Sequence, residues 1–292
     1  MANSHARSIS LPSRSHPTIP QIQEVLCRLK PVDVTITTCL SLSEINCKLG
    51  GIGDVFDLFD KFLSLTQTQQ ALARECHEKW VDELLDGLLL LLDVCGTAKD
   101  VLSQVKQHVQ ELQSTLRRRR SDESELSKEV GEYLASRKKA KKLIQKALKD
   151  LKIKCCSFPS DKSNDTMAMV DMSRQIQGVT FTTLQSLLFY VSGLKAAQSK
   201  ISSWTSVSNL MRSKHVTGIE ETTGSNDFEK VDAALHSLLG HKANKSGNLR
   251  IENVQSDLGK LELSVEDLEQ ELECLHRSLI KARVSLLNIL SH

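Results

Sequence analysis

Apolar residues recur along this chain at alternating intervals of three and four over two long stretches. His77, Val81, Leu84, Leu88, Leu91, Cys95, Ala98, Leu102, Val105, Val109, Leu112 and Leu116 form the first seam, and Leu85, Leu89, Leu92 and Val101 widen it. Ile251, Val254, Leu258, Leu261, Val265, Leu268, Leu272, Leu275, Leu279, Ala282, Leu286 and Ile289 form the second. Such spacing keeps one stripe of an α-helix turned toward its neighbours, so each stretch predicts a long coiled-coil-like helix. The first would run about 60 Å at a rise of ~1.5 Å per residue. A parallel homodimer of the second would set Asp257 against Glu262 and Ser264 against Glu269, which offers no charge code for self-pairing. Past Leu279 the apolar surface broadens through Ile280, Val284, Leu287 and Leu290, the pattern of a helix surrounded by several others. The two seams therefore predict antiparallel staves of one chain, a monomer.

Shorter elements fill the space between. A helix is expected over Gln21–Leu29, ended by Pro31. Another starts near Val32, weakens at Gly50, Gly51 and Gly53, and resumes over Asp54–Leu65 with Asp54 as its N-cap. Those glycines follow no strand and precede no Gly-Lys-Ser/Thr, so they predict a helix joint rather than a phosphate loop. The first long helix should begin near Thr66 or Thr68 and close at Arg117–Arg120, where cations complement a helix C-terminus. Ser121–Ser124 then caps a helix with the seam Leu126, Val130, Tyr133, Ala140, Ile144, Ala147 and Leu151, interrupted by Arg137.

After a linker at 157–165, a helix is expected from about Thr166 to Ser203. It carries no charge between Arg174 and Lys195, long enough to span a bilayer. Gln175, Gln177, Thr180, Thr182, Thr183 and Gln185 make it too polar for that, so a buried bundle helix is predicted. Residues 213–248, with Gly218, Gly224, Gly240 and Gly247, read as a flexible excursion around a short helix, Asp227–Leu239. The fold class that follows is all-α: an elongated antiparallel multi-helix bundle, one domain over residues 24–292, behind a disordered tail of residues 1–23.

Composition agrees. Aromatics are 4% of the residues, with Gly 13 and Pro 5, which disfavours a β-sandwich or barrel and favours leucine-rich helices. A net charge of +2 leaves any electrostatic partner to a local patch. The eight cysteines form no CxxC pair, and no apolar signal peptide precedes them. Reduced thiols in an intracellular, cytoplasmic protein are expected, with membrane-associated, nuclear and chloroplast locations as alternatives. Four convergent Cys/His ligands for zinc are not visible, and no cofactor is implied. Neither a Ser/His/Asp order nor a nucleotide loop stands out, and His77 and His276 read as structural imidazoles on or beside the seams. A non-enzymatic protein is expected.

Two segments carry candidate chemistry. Residues 1–23 contain no acid, are rich in Ser and Arg, and include Pro12, Pro17 and Pro20, which should stop any helix. A solvated tail fits this composition, and so does an organelle transit peptide. Arg7, Ser8, Ser10 and Pro12 also spell R-S-x-S-x-P, which resembles the phosphoserine motif read by 14-3-3 proteins; phosphate on Ser10 would supply the charge for an arginine cluster. The second segment runs from Arg137 to Lys154, nine basic residues against one acid, Asp150. Its candidate patch is Arg137, Lys138, Lys139, Lys141, Lys142, Lys146 and Lys149. A charged outer helix face explains it, and so does a surface for anionic lipid or an acidic partner. Arg137-Lys138-Lys139 also fits nuclear import, but without interleaved aromatics nucleic acid has nothing to stack on. Cys155-Cys156 reads as free thiols or as an acylation site.

Several stretches together carry a resemblance. They are His5-Ala-Arg-Ser-Ile-Ser-Leu-Pro-Ser-Arg-Ser-His-Pro17, Thr68-Gln69-Gln70-Ala71-Leu72 and Glu78-Lys-Trp-Val-Asp-Glu-Leu-Leu-Asp-Gly87. Leu92-Asp-Val-Cys-Gly-Thr-Ala-Lys-Asp100 and Arg283-Val-Ser-Leu-Leu-Asn-Ile-Leu290 complete the set. With these the chain resembles the plant-specific BYPASS-related family, from the tail to the C-terminus apart from residues 213–248. The resemblance implies a role in root and shoot development. It implies no catalytic residue, because the family's common domain has no assigned biochemistry.

Overall fold

The computed structural model describes residues 17–30, 40–74, 77–118, 123–155, 167–193, 226–240 and 247–291. These form eight helices and, among the described residues, no strand: α1 (Thr18–Leu29), α2 (Leu42–Leu63), α3 (Thr66–Arg74), α4 (Lys79–Arg117), α5 (Glu123–Cys155), α6 (Met167–Ser192), α7 (Asp227–Gly240) and α8 (Gly247–Leu290). The all-α bundle read from the periodicity is the observed architecture.

The antiparallel pair α4 and α8 is its spine. Leu88, Leu91, Cys95, Leu102, Val109 and Leu112 of α4 and Leu258, Leu268, Leu272 and Leu279 of α8 are all buried. As α4 ascends, its partners on α8 descend. Leu85 carbonyl accepts from Arg283, Cys95 Sγ lies 3.5 Å from Leu272 carbonyl, and Lys99 meets Glu273. Lys106 lies 3.1 Å from Glu266 and 3.2 Å from Glu269, and Gln113 donates to Glu262 at 2.8 Å. The two glutamates hold the Lys106 ammonium above its usual range, Glu266 most strongly, and Lys99 holds the Glu273 carboxyl below the carboxylate range. Burial pushes the Cys95 thiol up to about 12, the behaviour of a structural thiol.

Around this spine the other helices occupy two halves. α2 runs parallel to α8, with Asp60 receiving Ser285 at 2.9 Å and Lys281 at 3.0 Å. α6 runs parallel to α4, and together α2, α4, α6 and α8 enclose one half of the core, with α1 laid on α2 and α6. In the other half α5, antiparallel to α4 across a short connection, and α7 take those places. α7 extends the slot that α6 leaves. Asn226 caps α7 by accepting from Glu229 N–H at 2.8 Å while donating to Tyr190 carbonyl at 2.8 Å. Gly193 ends α6 at φ 65, a left-handed conformation suited to glycine.

Four expectations are corrected here. Residues 18–23, read as tail, belong to α1: Pro20 sits in its first turn, where no intrahelical N–H is needed, and Ile22 and Leu26 are buried. α2 passes unbroken through its glycines, so Asp54 lies inside it rather than capping a second segment, and it starts not near Val32 but after Ser41, which forms a capping box with Glu44. The Ser41 N–H and hydroxyl hold the Glu44 carboxyl below its usual range. α4 restarts at Lys79 rather than continuing from Thr66, which leaves His77 exposed in the preceding turn and off the seam. α7, read as the centre of a flexible excursion, buries Phe228, Val231 and Leu235 in the core. The residues from 31 to 39, the expected end of the α6 helix at 194–203, and the arms of the excursion at 213–225 and 241–246 lie outside the described residues.

α6 is the buried bundle helix expected, and no described helix is long and apolar enough to cross a membrane. Among its buried polar groups, Thr180 hydroxyl donates to Ile176 carbonyl at 2.8 Å and Gln177 donates to Leu84 carbonyl of α4, also at 2.8 Å, while the Ser173 hydroxyl has no hydrogen-bond partner among the described residues. That second bond sets a test. A Cβ at Gly87 would lie 2.4 Å from Gln177 Nε2, whereas one at Gly96 would meet nothing within 4 Å. In a helix interior Gly→Ala normally stabilises by roughly 1 kcal/mol. Gly96→Ala should follow that rule. Gly87→Ala should instead destabilise, because displacing Gln177 forfeits a buried hydrogen bond worth about 1–3 kcal/mol. Urea titration of both variants measures the opposite signs.

Candidate functional site

The sequence-predicted basic patch divides into two groups with different surroundings. Arg137 falls on the seam of α5, four residues after Tyr133 and three before Ala140, so the helical period turns it inward. It is 2% exposed. Charge is buried there because α7 supplies a counter-ion: Asp232 accepts from Arg137 Nε at 3.1 Å and Nη2 at 3.3 Å. The same carboxylate accepts from Tyr133 hydroxyl at 3.2 Å and Lys141 at 3.1 Å. The guanidinium lies 4.8 Å from the centre of the Phe228 ring, and Tyr190 meets that ring edge-on at 5.8 Å. Burial, then the charge of Asp232, push the Tyr133 phenol well above its ordinary range, so it stays a neutral donor. Arg137 and Lys141 thus belong to a clamp between α5 and α7, not to an exposed patch. The pairing partner lay in a stretch that sequence reading set aside as an excursion.

Lys138, Lys139, Lys142, Lys146 and Lys149 stand on the opposite, solvent face of α5, joined by Leu143 at 47% exposure. None of the five makes an ion pair among the described residues. Arg7, Ser8, Ser10 and Pro12 lie outside the described residues, as does Cys156.

A feature that the apolar pattern of α8 predicts to be buried lies instead along the open edge between α4 and α8. Where Lys99 and Lys106 face Glu273 and Glu269, this edge is charged; beyond them it turns apolar. Ile280, Val284 and Leu287 of α8 are 43%, 48% and 40% exposed, and Leu89 of α4 is exposed beside them. These positions on α8 were expected to be covered by other helices. They are not, because α2 packs on the other side of α8, through Lys281 and Ser285. The signal was present as the spacing 280, 284, 287, but periodicity gives a face without saying what covers it. At the far end of α4 an open polar cleft of about 480 Å³ is lined by Gln110, Gln113, Ser114, Arg117, Arg118 and Glu262. Its groups largely bond one another: both glutamines donate to Glu262, and Arg117 donates to Gln113 at 2.9 Å.

Removing one partner of a buried ion pair leaves the other charge uncompensated, at a cost of about 3–5 kcal/mol. Asp232→Ala should therefore strongly lower the denaturation midpoint, and amides of α7 should lose hydrogen-exchange protection ahead of those of α4. Replacing the pair together, Asp232→Leu with Arg137→Met, should recover most of the loss. Additive loss in the double variant would contradict a closed pair.

The family described as Protein BPS1 matches residues 48–289, from the middle of α2 to the end of α8. No curated protein and no solved structure matches the chain. The matched span includes Trp80–Gly87, Leu92–Asp100 and Arg283–Ile289, stretches of α4 and α8 that carried the resemblance. The chain belongs to the Protein BPS1 family, the BYPASS-related plant family.

Proposed function

We propose that this protein works by binding another protein, without catalysis of its own, and that its partner presents an amphipathic helix to the α4–α8 edge. One observation carries the reading: Ile280, Val284 and Leu287 stay exposed on a bundle whose other long seams are closed. The spacing of four and three residues makes a stripe two turns long, the length over which a docked helix engages a groove. Asp86 and Asp93 lie three residues before and four after Leu89, on the same face of α4, and both are exposed. A partner helix with apolar positions at i, i+3 or i+4, and i+7, flanked by lysine or arginine, complements that rim. The polar cleft and the Asp232 clamp favour binding over chemistry, since their ionisable groups pair with one another rather than converge on open space. The family resemblance supports a role in root and shoot development, in which an intracellular scaffold would act by holding such partners.

A photo-reactive amino acid placed at Val284 in plant cells tests this. A single defined adduct is expected, lost when Ile280→Glu and Leu287→Glu are added, and absent when the probe sits at Leu263, an exposed apolar position outside the edge. No adduct at Val284, or the same adduct from Leu263, would refute the edge as the binding surface.

A further inference from the structure

We infer that the outer face of α5 docks on an anionic lipid bilayer, through Lys138, Lys139, Lys142, Lys146 and Lys149 with Leu143 at its margin. The surface differs from the α4–α8 edge and does not depend on it. Three observations join. First, the five ammonium groups share one face: the sequence intervals 138, 142, 146, 149 hold them within one stripe, and Arg137 and Lys141 are turned away from it into the Asp232 clamp. At about 1.5 Å per residue, the stripe from Lys138 to Lys149 is about 16 Å long. The opposite side of α5 is occupied by α4, α6 and α7, so α5 is an outer stave.

Second, little of the neighbouring surface neutralises it: on α5 the acid beside the stripe is the single exposed Asp150. α6, packed beside α5, carries no Asp or Glu from Met172 to its end, and its exposed Thr182 and Gln185 are uncharged. The exposed aspartates of α4, Asp82, Asp86, Asp93 and Asp100, would be repelled by a negative surface, which favours the α5 side over the α4 side.

Third, the chemistry of the stripe suits a diffuse negative layer better than a shaped acidic ligand. All five are lysines, flexible point charges, with no arginine fork for bidentate recognition. No aromatic stands among them to stack a base. Leu143, 47% exposed, is an apolar side chain free to enter the headgroup boundary. Lysines near an anionic bilayer each raise binding about five-fold, so five of them make a weak, reversible, salt-sensitive attachment.

Co-sedimentation of the full chain with vesicles decides it. Wild type is expected to sediment with vesicles of phosphatidylcholine containing about a third phosphatidylserine at low salt, and to be released by high salt. It should ignore pure phosphatidylcholine. Lys138→Ala, Lys142→Ala and Lys149→Ala together should weaken the binding roughly a hundred-fold, from the per-lysine increment. Lys260→Ala, which removes an exposed lysine of α8 elsewhere, should leave it unchanged, and circular dichroism should show all variants folded. Val284→Glu with Leu287→Glu should also bind vesicles normally, which separates this proposal from the protein-docking edge. The inference is overturned if wild type fails to bind anionic vesicles, if the triple variant binds as wild type does, or if polyglutamate is bound through these lysines while vesicles are not.

Discussion

Everything in this molecule hangs on the antiparallel contact of α4 with α8. Both helices are longer than any neighbour, and their seams meet over the whole span from Leu85–Arg283 to Gln113–Glu262. Apolar burial supplies the driving force and is indifferent to register. Register comes from the edge, where Lys99, Lys106, Gln110 and Gln113 each find a glutamate of α8. Exposed ion pairs of this kind contribute only ~0–1 kcal/mol each. The ion pairs of Lys99 and Lys106 and the hydrogen bonds of Gln110 and Gln113 along one edge nonetheless penalise a slipped alignment, because a slip would bring carboxylates toward apolar neighbours and strand the lysines.

The other helices use that spine in two ways. α2 and α6 pack as staves through their apolar faces. α7 is held differently: a short helix anchored by Phe228, Val231 and Leu235 and by a carboxylate that accepts four hydrogen bonds from α5. Such a cluster is worth little as net stability, yet it allows one placement of α7 and few others. Both proposed surfaces are consequences of the same division of labour. Turning Arg137 and Lys141 inward to hold α7 leaves a purely lysine stripe outside, and laying α2 on one flank of α8 leaves the other flank bare.

The long seams were legible in sequence because a helix of thirty to forty residues repeats its period often enough to fix both its type and its face. So was the burial of α6 in spite of its length. What failed depended on partners distant in the chain. Arg137 looked like one more cation of a basic run until Asp232, ninety-five residues away, came opposite it. The glycines at 50, 51 and 53 looked like a joint, but the packing of α1 against Gly51, where Leu29 fills the space a side chain would take, repays their low helix propensity. Pro20 looked like a stop because its distance from the helix start was unknown. The apolar flank of α8 was visible as a pattern and wrong as to its fate, since amphipathicity does not count the neighbours.

The antiparallel, within-chain pairing of α4 and α8 is open to direct measurement. Carbodiimide joins lysine to carboxylate only where they touch, so the products at Lys99–Glu273 and Lys106–Glu266 report the contact itself. Mixed light and heavy isotope chains, refolded together and cross-linked, should yield these two links exclusively within light or within heavy chains. Equal amounts of light–heavy link would show that α8 pairs between molecules, and absence of both links would show that the two helices do not meet in this register.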